Sequence, residues 1–301
     1  MRSQTWLYLP LTLIGATWGL TVPAMKIAVD GGYPVTGVLF WQVALASLVA
    51  FGAFLFKRRR ISITKRRLVL FAWITAFGSV LPGIVSYTAA AQLPAGVMAI
   101  TIAMVPIFIM PIAIMTGHEV FQAKRVVGVL MGALAIFLLI GPDTSLPDPS
   151  KAVFVLLALL SPLFYSFEDN FIAYYGLDGL TAIETLLGSA LLGVIVMGVV
   201  VVTQGTFIPI WQDGVSAADW AILVIGLTTG IAYAGFIWII GQAGPVFSGQ
   251  IAYLVTIFGV LWSMFLLGEN YSGYIWLAFV VMLFGMFLVR PRTDGVEPVE
   301  P

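Results

Sequence analysis

Charged side chains are rare inside the long apolar stretches of this chain, so each one found there is a candidate for chemistry. Glu168 and Asp169, followed by Asn170, sit together in one stretch, Glu184 opens the next, and Lys26 lies near the end of the first. A charge at a bilayer centre costs about 2.5–3.5 kcal/mol on insertion scales, so it is kept where a proton, an ion or a polar solute is handled. Glu168, Asp169, Glu184 and Lys26 are therefore candidates for coupling or gating, with solvation at a membrane interface as the plain alternative for each. Tyr87, Tyr165, Tyr233 and Tyr253 each pair a flat apolar ring with a hydroxyl, which suits contact with a small amphipathic molecule. The same side chain also anchors at headgroup level. That is the reading for Trp6, Tyr8, Trp73, Trp220, Tyr271, Tyr274 and Trp276, near stretch ends.

Other chemistries lack their residues. With no cysteine there is no disulfide, thiolate metal site or cysteine nucleophile. His118, the single histidine, stands in a loop beside Glu119, a poor place for a proton relay. The chain has no HExxH or GxSxG arrangement for an intramembrane enzyme, no GxxxxGKS/T loop for an ATP-driven pump and no TVGYG-like channel filter. No cofactor, metal or nucleic-acid partner is expected.

The elements that carry these residues are ten apolar stretches, at 6–28, 35–56, 68–92, 94–117, 124–140, 152–175, 180–203, 219–242, 244–267 and 273–290. About 20 helical residues cross the hydrocarbon of a bilayer, and each stretch is near that length. Only 9% of residues are charged and 60% are hydrophobic, more apolar surface than a soluble fold can hide. Lys57, Arg58, Arg59, Arg60, Lys65, Arg66, Arg67, Lys124 and Arg125 all fall on one side, with Arg2, Arg290 and Arg292, if ten spans are correct. The positive-inside rule then puts both termini in the cytoplasm. The apolar opening runs into Lys26 and Asp30 with no clear cleavage site, so it is expected to be a retained first helix.

The ten stretches fall into two sets of five. Placing Glu119 on Glu269, 150 positions apart, also brings Gln92 onto Gln242, and rare polar letters at matching helix ends carry more weight than apolar coincidences. Five is odd, so the second copy enters from the opposite side. The expected fold is an all-α integral membrane protein of ten helices, two inverted five-helix repeats around a central cavity, an architecture transporters use. The repeats cover residues 1–141 and 152–291, joined by a Pro- and Asp-rich loop at 142–151, with a polar tail at 292–301. Glu119 and Glu269 each follow a helix and are expected to cap the next one.

The chain resembles the drug/metabolite transporter superfamily, specifically its ten-helix EamA-type exporters. The resemblance lies in Trp18-Gly19 with Lys26, then Tyr87 through Gln92, Pro106 and Gly117 to Glu119, followed by Gly128 and Gly132. Gln242, Gly268-Glu269 and Gly285 repeat the pattern weakly. It departs in the second span, where the family pattern often has arginine and this chain has Trp41-Gln42, and in the ninth, where Thr256 replaces a proline. The resemblance implies export of small metabolites across a bacterial inner membrane, with amino acids, aromatic ones included, as the nearest class. Drugs or cations, sugars and nucleotides remain as alternative solutes, and both monomer and homodimer stay open.

By the resemblance, spans 1, 3, 4, 6, 8 and 9 surround the cavity and spans 2, 5, 7 and 10 pack outside. The expected substrate contacts are then Trp18 and Thr21 on the first span, and Ser79, Pro82, Ser86 and Tyr87 on the third. Thr101 and Tyr165 follow on the fourth and sixth, Thr229, Tyr233 and Trp238 on the eighth, and Gln250 and Tyr253 on one face of the ninth. Pro23, Pro82, Pro106, Pro111 and Pro162 interrupt these inner spans, whereas Gly128, Gly132, Gly188 and Gly193 suit close helix contact.

Overall fold

Hydrocarbon offers a backbone N–H or C=O no partner, so an apolar stretch that long satisfies its own peptide groups as a helix. The computed structural model describes residues 4–56, 61–117, 123–140, 146, 148–212, 214–248 and 250–289. Each of the ten stretches is helical there, and no strand occurs among the described residues. The first stretch is α1 (Tyr8–Gly19) and α2 (Thr21–Asp30), and the second is α3 (Val35–Leu55). The third is α4 (Lys65–Thr75), a π-helical turn Ala76–Val80, and α5 (Leu81–Ala90). The fourth is α6 (Ala95–Ile102) and α7 (Val105–Met115), and the fifth is α8 (Ala123–Ile140). The remaining five are α9 (Ala152–Tyr175), α10 (Ala182–Gln204), α11 (Ala217–Ser248), α12 (Ile251–Leu267) and α13 (Gly273–Val289).

Seven of these segments are long and apolar enough to cross a membrane, while Val126–Ile140, Ile251–Leu267 and Gly273–Leu288 are shorter apolar helices. One boundary moves. The expected turn near residue 243 does not form, because α11 continues to Ser248 and α12 opens at Ile251. Gln250 therefore stands at the start of α12 rather than inside it.

Local chemistry sets the ends. Thr64 caps α4 by accepting from Arg67 N at 3.2 Å. Thr181 and Glu184 form a reciprocal capping box on α10, with Thr181 N donating to Glu184 Oε2 at 2.6 Å. Ser216 and Asp219 do the same for α11. Glu269 caps a helix other than the one expected: its two oxygens accept from Ala95 N at 2.7 Å and Gly96 N at 3.1 Å, closing the start of α6. The carboxylate goes where unpaired N–H groups lie nearest in space, which sequence order does not give. Glu119 lies outside the described residues.

Packing pairs distant parts of the chain. α3 lies along α10 and α8 along α13, while α6 packs on α12. α1 contacts α11 and α12, α2 contacts α11, and α9 contacts α5 and α7. Two crossings are backbone-tight. A Cβ on Gly19 would fall 2.9 Å from Gly259 N, and one on Gly285 the same distance from Gly128 O, the small-residue contact by which membrane helices approach closely.

Candidate functional site

The break between α1 and α2 creates the first part of the site. Thr21 Oγ1 donates to Trp18 O at 2.7 Å, satisfying a carbonyl at the break, and the Trp18 ring projects half-buried toward α11. There it meets Tyr233 edge-on at 6.4 Å and Phe236 at 6.1 Å, with Tyr233 and Phe236 themselves 6.4 Å apart. Three aromatic rings from two spans thus face one another, with the quadrupole edges and faces arranged as such pairs prefer.

A polar chain runs beside them. Tyr87 Oη donates to Gln42 Oε1 at 2.7 Å, and Gln42 Nε2 donates to Thr229 Oγ1 at 3.4 Å. This joins α5, α3 and α11 through one amide, and Tyr87 is only 3% exposed. Gln42, noted in the sequence only as a departure from the family's arginine, is thus a site residue that was not expected. The further signal is an amide inside the apolar run Val35–Leu55, on a helix assigned to the outer ring.

The third component is one face of α9. Ser161, Tyr165 and Glu168 recur at intervals of four and three and so share a face. Glu168 is 8% exposed, and its carboxylate lies directly on Gly78 in the π-helical turn, where a Cβ would overlap it. Ser161 Oγ is buried without a well-directed hydrogen bond, although the Tyr165 hydroxyl is close. Tyr233 of α11 lies within electrostatic reach of both Glu168 and Asp169, which connects this face to the aromatic group. Asp169 is exposed. The neighbouring face is structural. Ser166 Oγ donates to Val105 O and Asn170 Nδ2 to Ile109 O, holding α9 on α7.

Two polar contacts close the helix ends around this interior. Arg67 Nε donates to Asp178 Oδ2 at 3.0 Å and Arg66 approaches Oδ1 at 3.6 Å, joining the start of α4 to the turn after α9. Behind that pair, Phe77, Trp73, Phe171 and Tyr175 form a continuous stack, capped by the Arg66 guanidinium 4.8 Å from the Tyr175 ring. At the start of α11, Asp219 Oδ1 accepts from Tyr33 Oη at 2.6 Å and so ties α11 to the turn after α2.

The expected site residues thus divide. Trp18, Thr21, Tyr87, Tyr165, Thr229, Tyr233 and Glu168 gather through these contacts. Pro82 and Ser86 are buried on α5, Ser79 is half-buried in the π-helical turn, and Gln250 and Tyr253 are half-buried at the start of α12. Thr101 is fully buried and its hydroxyl is used by Met98 O of its own helix, which removes it from any solute surface. Trp238 is 43% exposed and pairs with Trp6 at 5.9 Å, so it faces outward rather than toward Tyr233. Five residues separate it from Tyr233, about 140° around the helix. The Glu184 carboxylate is committed to the capping box, and Lys26 is paired with Asp30 at 2.9 Å at a helix end. Neither reaches the gathered residues.

No curated protein matches the chain. A solved crystal structure superposes with a TM-score of 0.65, covering 93% of this chain and 97% of its own at 17% identity, a likeness of fold alone. Residues 5–141, which contain Trp18, Gln42, Gly78 and Tyr87, match the EamA-like transporter family. With its many apolar helices the chain is a multi-pass membrane protein, similar to the EamA-like transporter family over residues 5–141, just under half of its length.

Proposed function

We propose that this protein is a transporter of the drug/metabolite type that exports small amphipathic metabolites, neutral and aromatic amino acids among them, across a bacterial inner membrane by alternating access. The observation that carries the reading is the meeting of Trp18, Tyr233 and Phe236 beside the Tyr87–Gln42–Thr229 chain. Rings from both halves supply apolar contact, and a few fixed polar groups orient a solute.

The ten-span inverted repeat is part of the proposal. Exchanging the first, third and fourth spans with the sixth, eighth and ninth maps the main packing contacts onto one another: α5 with α9 becomes α11 with α1 and α2, and α7 with α9 becomes α12 with α1. The pairs α3–α10, α8–α13 and α6–α12 map onto themselves. The exchange also pairs the Arg67–Asp178 contact with Tyr33–Asp219, at opposite membrane faces in this topology. One joins the third and sixth spans and the other the first and eighth. Such a pair suits alternate opening of a shared interior.

The test is flux of a labelled panel of the twenty amino acids through proteoliposomes, with sugars and nucleotides as comparison solutes. Movement of neutral and aromatic amino acids supports the reading. Movement of sugars or nucleotides alone leaves a transporter and removes the amino-acid assignment.

A further inference from the structure

The interior described above contains the Glu168 carboxyl group and, among the described residues, no Lys or Arg paired with it. The described ion pairs are Lys26–Asp30, Arg66–Asp178 and Arg67–Asp178, all at helix ends. Glu168 belongs to none of them, and no hydrogen bond from a described residue reaches its carboxylate. It is nonetheless 92% buried, and the backbone makes room for it by placing glycine at 78 inside a π-helical turn, a distortion often found at functional sites. A largely buried carboxylate with no partner is costly unless a proton or a counter-charge from outside the chain neutralises it, and an ammonium group can do the second.

A second, separate observation points to a ligand at the same face. Ser161 Oγ, 1% exposed and seven residues before Glu168, is also without a well-directed partner. The nearby walls are aromatic: Tyr165 on the same face, and Tyr233 with Trp18 edge-on across from it. Unpaired carboxylate, spare hydroxyl and aromatic rings form the environment in which an organic ammonium group is favoured, by charge attraction and by the ring quadrupoles.

We propose, resting on the transporter reading above, that Glu168 is the counter-ion for the ammonium group of the transported solute and that the site prefers monocationic aromatic amines to the corresponding zwitterionic amino acids. Both bring the ammonium. Only the amino acid also brings a carboxylate, and the described residues of the interior offer that carboxylate amides and hydroxyls but no cation. Gly78 is the positioning residue: a methyl group there displaces the Glu168 carboxylate without altering any charge.

The experiment measures binding and counterflow of tryptamine, tryptophan and tryptophol, whose side chains share an indole and differ in the polar end, on the purified full-length chain in detergent and in proteoliposomes. The expected order is tryptamine at least about tenfold tighter than either of the other two, a ratio worth about 1.4 kcal/mol. Glu168→Gln should remove most of that preference and leave tryptophol within about threefold of its original affinity, and Gly78→Ala should move the ratios the same way. The comparison within the unaltered protein stands even if a variant fails to fold. Equal binding of all three solutes by the unaltered protein, or an unchanged preference in folded Glu168→Gln, overturns the ammonium assignment while transport itself stands. Absence of flux for all three overturns the transporter reading for such solutes together with the inference.

Discussion

Gln42 holds three spans at one point, and its removal should be felt in stability before transport is considered. Gln42→Leu leaves the Tyr87 hydroxyl, on a side chain 3% exposed, without its acceptor. A buried polar group stranded in this way costs about 1–3 kcal/mol, so the melting temperature in detergent should fall clearly. Tyr87→Phe removes donor and hydroxyl together and should cost less. Equal melting temperatures for the unaltered protein and Gln42→Leu would show that the amide is not part of the packing. The tyrosines were legible in the sequence because their chemistry is visible in a single letter. Gln42 stood out only as a departure from the family pattern, and its site role was not legible, since one amide in a helix assigned to the outside has no periodic partner to mark it. Glu168 was legible as a charge, but its surroundings were not. Seven residues from the end of α9 it looks close to water, about 10 Å at 1.5 Å per residue, and only the crossing with Gly78 buries it.

For the helices, apolar length placed most ends, because helix formation in lipid is a local requirement. The capping box at Thr181 fits the Thr-x-x-Glu pattern. Partners across space were less legible, as the destination of Glu269 on α6 shows. The two end contacts give an element-scale prediction. Asp178 in the Arg67 pair is 28% exposed, so the pair contributes on the order of 1 kcal/mol. Asp178→Asn should raise labelling of a cysteine placed at Ser79 severalfold from the Arg66 side, whereas Tyr33→Phe should raise it from the other side. Identical accessibility changes for the two variants would show that the contacts do not control separate openings. On α12, Tyr253→Ala should reduce flux while Trp276→Ala on α13 leaves it nearly unchanged; the reverse order would remove the distinction between inner and outer helices.

In the whole molecule, the proposed ten-span topology sets which loops face the cytoplasm. Residues 57–67 should be found in the cytoplasm and 142–150 on the opposite face, by labelling of single cysteines in intact cells. The absence of native cysteine gives such labelling no background. The central claim is that one site, shared by the two halves, opens to each face in turn. Thr229→Cys places a thiol where Gln42 reaches across from α3. In proteoliposomes of known orientation, a membrane-impermeant maleimide added from either face in separate experiments should modify that cysteine, and a transported solute should slow both reactions. Modification from one face only, under conditions where solute flux is measured, would contradict alternating access to a common site.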